Sequence, residues 1–144
     1  MYRIVVCLGL ALLLAACGGP AAPTATPFAR YSAQNIIDAF QNAGLGLQNV
    51  ERDMLVGRDA PGNFSDRYVF QIASIAPQGG QILVFNRDAD MQAWRDYIAQ
   101  LRNSTVTRRD VVYVYEYANI MIQLNSNLAP DVAARFAEIL TTLP

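Results

Sequence analysis

Three groups of residues in this 144-residue chain could do chemistry: two cysteines, a row of tyrosines, and a scatter of serines and acids. Cys7 lies inside an apolar run and Cys17 closes it, so no thiol follows Cys17. That excludes a disulfide framework, a zinc site and a cysteine nucleophile from the rest of the chain. Tyr113, Tyr115 and Tyr117 alternate, which places them in a row on one face of a strand. Such rows can form platforms for sugars, peptides or partner proteins. They can equally pack beneath helices, and the polar Glu116 and Gln123 opposite favour the rings pointing inward. The sequence has no His, and every cation is Arg. The commonest general base and metal ligand is therefore missing, as are Schiff-base chemistry and the P-loop lysine. Ser65, Ser74, Ser104 and Ser126 have no base to activate them. The twelve acids leave a carboxylate-pair glycosidase formally open, but no two of them are singled out by spacing. The loop at 57–67 carries Asp59, Asn63, Ser65 and Asp66, yet lacks the alternating ligands and sixth-position Gly of a calcium loop. No cofactor and no metal is expected.

These residues must be positioned by what surrounds them, and the first surroundings are a leader. Met1-Tyr2-Arg3 gives a short positive start, and Ile4 to Leu14 is a continuous apolar run. At about eleven residues it suits the core of a signal peptide and falls short of the ~20 needed to span a membrane. Leu14-Ala15-Ala16-Cys17 then resembles the lipobox of bacterial lipoproteins. The resemblance implies cleavage after Ala16 and a diacylglycerol thioether on Cys17, the membrane partner of the protein. Each buried acyl CH₂ contributes ~0.8 kcal/mol, so two or three chains would make a durable anchor where one would not. Residues 1–16 are thus expected to be a signal peptide. Residues 17–31 are expected to be the lipidated Cys and a Pro/Ala/Thr-rich tether, whose stretch Gly18 to Arg30 has too little apolar surface to fold. Residues 32–144 form the domain.

A leader ending at Ala16 would leave 128 residues, enough for one core without staples. The mature chain would carry ten Arg against twelve acids, a net charge of −2. This balance argues against nucleic acid as a partner. Adjacent Arg-Asp pairs recur at 52–53, 58–59, 87–88, 95–96 and 109–110. Neighbours in sequence do not face each other on a helix, so these read as solvated surface.

Periodicity supplies the elements. Ser32 is an N-cap before a helix over 33–43, in which Ile36, Ile37, Phe40 and Ala43 share a face and Gly44 follows as the stop. The stretch 45–67 reads mainly as loop, with a short strand at 47–50 or 54–56. Alternation makes 66–74 a strand, Pro77-Gln78-Gly79-Gly80 a turn, and 81–85 a second strand. Asp88 or Asp90 caps a helix with the stripe Met91, Trp94, Tyr97, Ile98 and Leu101. Strands at 111–117 and 120–124 follow, joined tightly at Ala118-Asn119. Pro130 opens a last helix burying Val132, Phe136, Leu140 and Leu143. The order α-β-β-α-β-β-α predicts an α+β, two-layer sandwich: a four-stranded antiparallel sheet with its helices mainly on one face. The other face carries Val69, Ala73, Val112, Val114 and Met121 with Gln71, Glu116 and Gln123. It is more apolar than a solvated face, so the first helix or the 45–56 segment covers it, or it binds something.

Gly79 to Ile98, reading GGQILVFNRDADMQAWRDYI, resembles a segment of small bacterial lipoproteins of unknown function. Tyr113-Val114-Tyr115 and Leu128-Ala129-Pro130-Asp131 are similar to that group's later strand and last helix start. This chain departs from it at Ala118, where a Gly is expected. The resemblance implies fold and location and no chemistry. On these grounds the expected function is a lipid-anchored, non-enzymatic module on the extracytoplasmic side of the cell membrane or outer membrane, binding a protein or cell-envelope partner. Tyr113, Tyr115 and Tyr117 are the candidate contacts. The alternative is a carrier or sensor of a small apolar ligand lodged between sheet and helices.

Overall fold

Ser32 opens the first helix, α1 (Ala33–Asn42), with a reciprocal cap: its Oγ accepts from Asn35 N–H while the Asn35 side chain accepts from Ser32 N–H. Ala43 is the C-cap. Gly44, at φ +69°, turns the chain so that its N–H reaches Gln41 O and Leu45 N–H reaches Phe40 O, a Schellman closure. The computed structural model describes residues 27–144; the expected leader, Cys17 and the tether as far as residue 26 lie outside the described residues.

Five strands follow, not four: β1 (Leu47–Arg52), β2 (Asp66–Ile72), β3 (Gly79–Val84), β4 (Tyr113–Tyr117) and β5 (Ile120–Leu124). They form one antiparallel sheet in the order β1-β2-β3-β5-β4. The strand at 47–52 was only half visible in sequence because it contains a bulge. Gln48 pairs with Gln71 but Glu51 pairs with Val69, and Asn49 takes φ +48° at the irregularity. Leu47 and Val50, three residues apart, therefore both turn to the core, and the period-two signal is lost. A second correction concerns Gly79 and Gly80, which belong to β3 and not to a turn. A Cβ on Gly79 would sit 1.8 Å from Phe70 O, and one on Gly80 2.5 Å from Gln123 O. The neighbouring backbones approach so closely that only Gly fits in these strand positions. The preceding strand is also shorter than expected, giving way to a 3₁₀ turn at Ala73–Ile75.

Helices cover both faces. α1 and α3 (Pro130–Thr141) lie on one side, over Phe70, Ile72, Ile82, Val84, Ile120, Ile122 and Leu124. Phe136 is fully buried there, edge-on to Phe40 and stacked on Phe70. α2 (Asp88–Asn103) lies on the other side, where Met91, Trp94 and Ile98 pack on Leu83, Phe85, Val111 and Met121. The expected two-layer arrangement is thus three layers, and the second sheet face is covered mainly by α2 and not by the first helix, with Val56 the contribution of the 45–56 segment. Ala60 and Phe64 add to the cover from the loop between β1 and β2. The start of α2 also differs in detail. Arg87 occupies the N-cap position without a side-chain cap, and Asp88 and Asp90 stand in the first turn, where the helix dipole favours acids.

Candidate functional site

The tyrosine row faces α3. Tyr113, Tyr115 and Tyr117 are half-buried against the α1/α3 core. Burial pushes the Tyr115 hydroxyl above its ordinary pKa. Tyr117 stacks on Tyr31, with ring centroids 5.8 Å apart. This is the inward placement that Glu116 and Gln123 on the opposite face had favoured. Glu116 is taken up by Arg95, whose Nε lies 2.8 Å from the carboxylate and ties α2 to β4.

The chain reaches the domain at the end of the sheet where β4 turns into β5. Asn119, buried in that turn, accepts from the backbone N–H of Arg30 and Tyr31 and donates to Tyr31 O. Phe28 crosses to the opposite sheet face and packs into the α2 core. The domain therefore starts about four residues before the expected boundary at residue 32, because the last residues of the expected tether include two aromatics that find partners.

The arrangement most able to bind something lies on the α2 side of the sheet, beyond the helix, where the floor is open. A polar relay crosses three strands there. Arg67 Nε donates to Gln81 Oε1 at 2.6 Å, and Gln81 Nε2 donates to Gln123 Oε1 at 2.6 Å. Register places these side by side, since Gln81 pairs directly with Gln123 in β3 and β5. Arg67 Nη1 reaches Asp53 Oδ2 at 2.9 Å and the Leu55 carbonyl at 2.6 Å, which fastens the loop after β1 to the floor. Towards the sheet edge, Asn49 Nδ2 donates to Gln71 Oε1 at 2.7 Å. Three contiguous hollows follow this floor. One of about 340 Å³ lies over Val69, Gly80, Gln81 and Gln123. A second, of about 240 Å³, is walled by Trp94, Tyr97 and Asp110 and shares Arg67, Gln81 and Gln123 with the first. The third, of about 410 Å³, extends past Asn49, Gln71 and Pro77.

Side-chain amides both donate and accept hydrogen bonds and do not titrate, so this trough can hold a polar molecule in a fixed orientation. Asp110 lines two of these hollows and Glu51 the third, while Asp53 lines none of them and is bound to Arg67 of the floor. The pKa of Asp53 lies below the ordinary carboxylate range because the Leu55 N–H and the Arg67 guanidinium both bind it, which keeps Asp53 ionised near neutrality. In the sequence, Gln71 and Gln123 stand out only as polar exceptions on an apolar face. The signal it lacked was register, which sets Arg67, Gln81 and Gln123 beside one another.

Other surface hollows include a groove of about 500 Å³ between Tyr31, Asn35, Asp38, Asn42 and Leu143, and one of about 360 Å³ between Arg30, Ser32, Asp66, Asn86 and Asn119. No protein-family model, curated protein or solved structure matches the chain.

Proposed function

We propose that this chain is a lipid-anchored extracytoplasmic lipoprotein whose domain is a non-enzymatic module that binds a protein or cell-envelope partner. The observation that carries the reading is the run Leu14-Ala15-Ala16-Cys17 behind an apolar leader. The docking of residues 28–31 supports it by giving a tether a defined point of departure from the domain. Residues 18–27 would then link lipid to domain, spanning roughly 30 Å at ~3.1 Å per residue. The polar trough also suits a membrane-bound binder. Gly79 and Asn125 line it at the end of the sheet remote from Asn119, where the chain enters. The carrier reading draws less support. Apolar side chains from the helices fill the space directly beneath them on both sheet faces, and the hollows named above are open grooves with many polar groups on their walls.

The test is metabolic. The full chain is expressed in bacteria fed radiolabelled palmitate, and its mass is measured after extraction. Label on the wild type, its loss in Cys17→Ala, and a chain starting at residue 17 are expected. A chain that keeps Met1 and carries no label would overturn the anchored reading.

A further inference from the structure

We infer that the free edge of β4 is a self-association surface, through which two copies of the chain pair β4 to β4, antiparallel, and join their five-stranded sheets into one. The inference goes beyond the reading above and does not depend on the lipid.

The two edges of the sheet are built differently. β1, at one edge, is bulged between Gln48 and Glu51, holds Asn49 at φ +48° and exposes Gln48, Asn49, Glu51 and Arg52. A kinked and charged edge of this kind discourages a further strand. β4, at the other edge, pairs with β5 in unbroken register and reads Tyr-Val-Tyr-Glu-Tyr, with no Pro, no bulge and one charge. Valine and tyrosine favour strands, and Val112, just before β4, is 50% exposed.

The backbone of this edge has unspent hydrogen-bonding capacity. Tyr117 and Ile120 flank a two-residue turn and so form a hydrogen-bonded pair. By alternation Tyr115 with Ile122 and Tyr113 with Leu124 do the same. The N–H and C=O of Val114 and Glu116 therefore point out of the sheet, and none has a partner among the described residues. A strand laid alongside takes them up.

Charge and closure make that strand a second copy. Just before β4, Arg108, Arg109 and Asp110 are exposed, two cations against one anion, and neither arginine enters an ion pair among the described residues. Towards the other end of β4, Arg95 is shared between Glu116 and Asp88, one cation against two anions. Antiparallel pairing about a two-fold axis sets the positive end of each β4 beside the negative end of the other. Full overlap places Tyr115 against Tyr115 of the second copy and Val114 against Glu116, so the two carboxylates do not meet. Because β1 is protected, growth stops at two. An edge of five residues makes a small interface, so the dimer should dissociate on dilution.

The full chain, in a density-matched detergent, is sedimented over a concentration series, and a monomer–dimer equilibrium is expected. Val114→Pro blocks the edge without removing a bond to β5, and should leave a folded monomer. Arg108→Glu/Arg109→Glu, on exposed residues outside β4, should weaken association about tenfold or more, and high salt should weaken the wild type. Tyr115→Cys should link two copies on mild oxidation, since the Cα atoms of such a pair lie about 4.5 Å apart. Tyr113→Cys, off the axis, should not. A wild type that stays monomeric or grows beyond two, association unchanged by Val114→Pro or by the charge reversal, or equal linkage through both cysteines would overturn the inference. So would a mass between one chain and two, which would identify a foreign strand as the occupant.

Discussion

Asn119 grips the backbone of Tyr31 on both sides: its Oδ1 accepts from Tyr31 N–H at 2.8 Å and its Nδ2 donates to Tyr31 O at 2.8 Å. One side chain thus does for Tyr31 what a neighbouring strand would do, and Arg30 N–H adds a third bond at 2.9 Å. Asn119 is 1% exposed, so these partners are what make its burial tolerable. Asn119→Ala should cost about 2–3 kcal/mol, from lost bonds and two orphaned backbone N–H groups. Denaturant unfolding measures that loss, and amide exchange at residues 30 and 31 should accelerate before the core does. Unchanged exchange there would mean that Tyr31 stacking on Tyr117 suffices to dock the chain.

The residue before it, Ala118, takes φ +49° in the two-residue turn between Tyr117 and Ile120. A positive φ at the first central position but not at the second, Asn119, is the mark of a type II′ turn, which wants Gly first. Left-handed backbone costs a residue with a Cβ about 1–2 kcal/mol, partly offset by the greater unfolded-state freedom of Gly. Ala118→Gly should therefore stabilise the protein by about 1 kcal/mol, read as a raised thermal midpoint. A lowered midpoint would show that the turn is not under this strain.

Gly79 predicts the opposite sign. Its φ is ordinary, but a Cβ there would collide with the carbonyl oxygen of Phe70, at 1.8 Å, and with Gln71 Cα, at 2.5 Å. Backbone cannot swing aside as a side chain can, so the strands must separate. Gly79→Ala should destabilise by about 3 kcal/mol, at the upper end of overpacking costs. The same substitution at Gly57, which has nothing within 4 Å of its Cβ position, is the control and should change little. Equal effects at both sites would remove the close-approach account.

Local signals proved legible and non-local ones did not. The capping pattern around Ser32, the stripe from Met91 to Leu101 and Pro130 at the head of α3 each operate within one or two turns, and all three helices stand where they indicate. Gly79-Gly80 was misread because a glycine pair after a proline carries turn chemistry. The reason for it here is the close approach of paired backbones, that of β2 at Gly79 and that of the distant β5 at Gly80. β1 was hidden by its bulge, which breaks the alternation that identifies strands. The side of the sheet that α2 covers depends on chain path and not on composition. The Arg67–Gln81–Gln123 relay needed register across three strands, and its residues lie too far apart in sequence for any spacing rule.

Asp53 makes the trough's geometry sensitive to acid. Its Oδ1 accepts from Leu55 N–H at 2.9 Å and its Oδ2 from Arg67 Nη1 at 2.9 Å. Both interactions favour the charged form, so the carboxyl titrates below its ordinary value of 3.8. A carboxylate whose pKa is lower folded than unfolded binds fewer protons in the native state over that interval. Its contribution to stability is complete above the unfolded pKa and fades as pH falls through the folded one. Wild type should therefore unfold at higher denaturant than Asp53→Asn at neutral pH, and the gap should close below about pH 4. Exposure of the pair to solvent should also make the gap shrink in high salt. Since Arg67 also holds Gln81, loss of Asp53 should loosen the trough's floor, and Trp94 emission should shift over the same pH interval. A gap that widens on acidification would reverse the sign and show that Asp53 is not held ionised by Arg67.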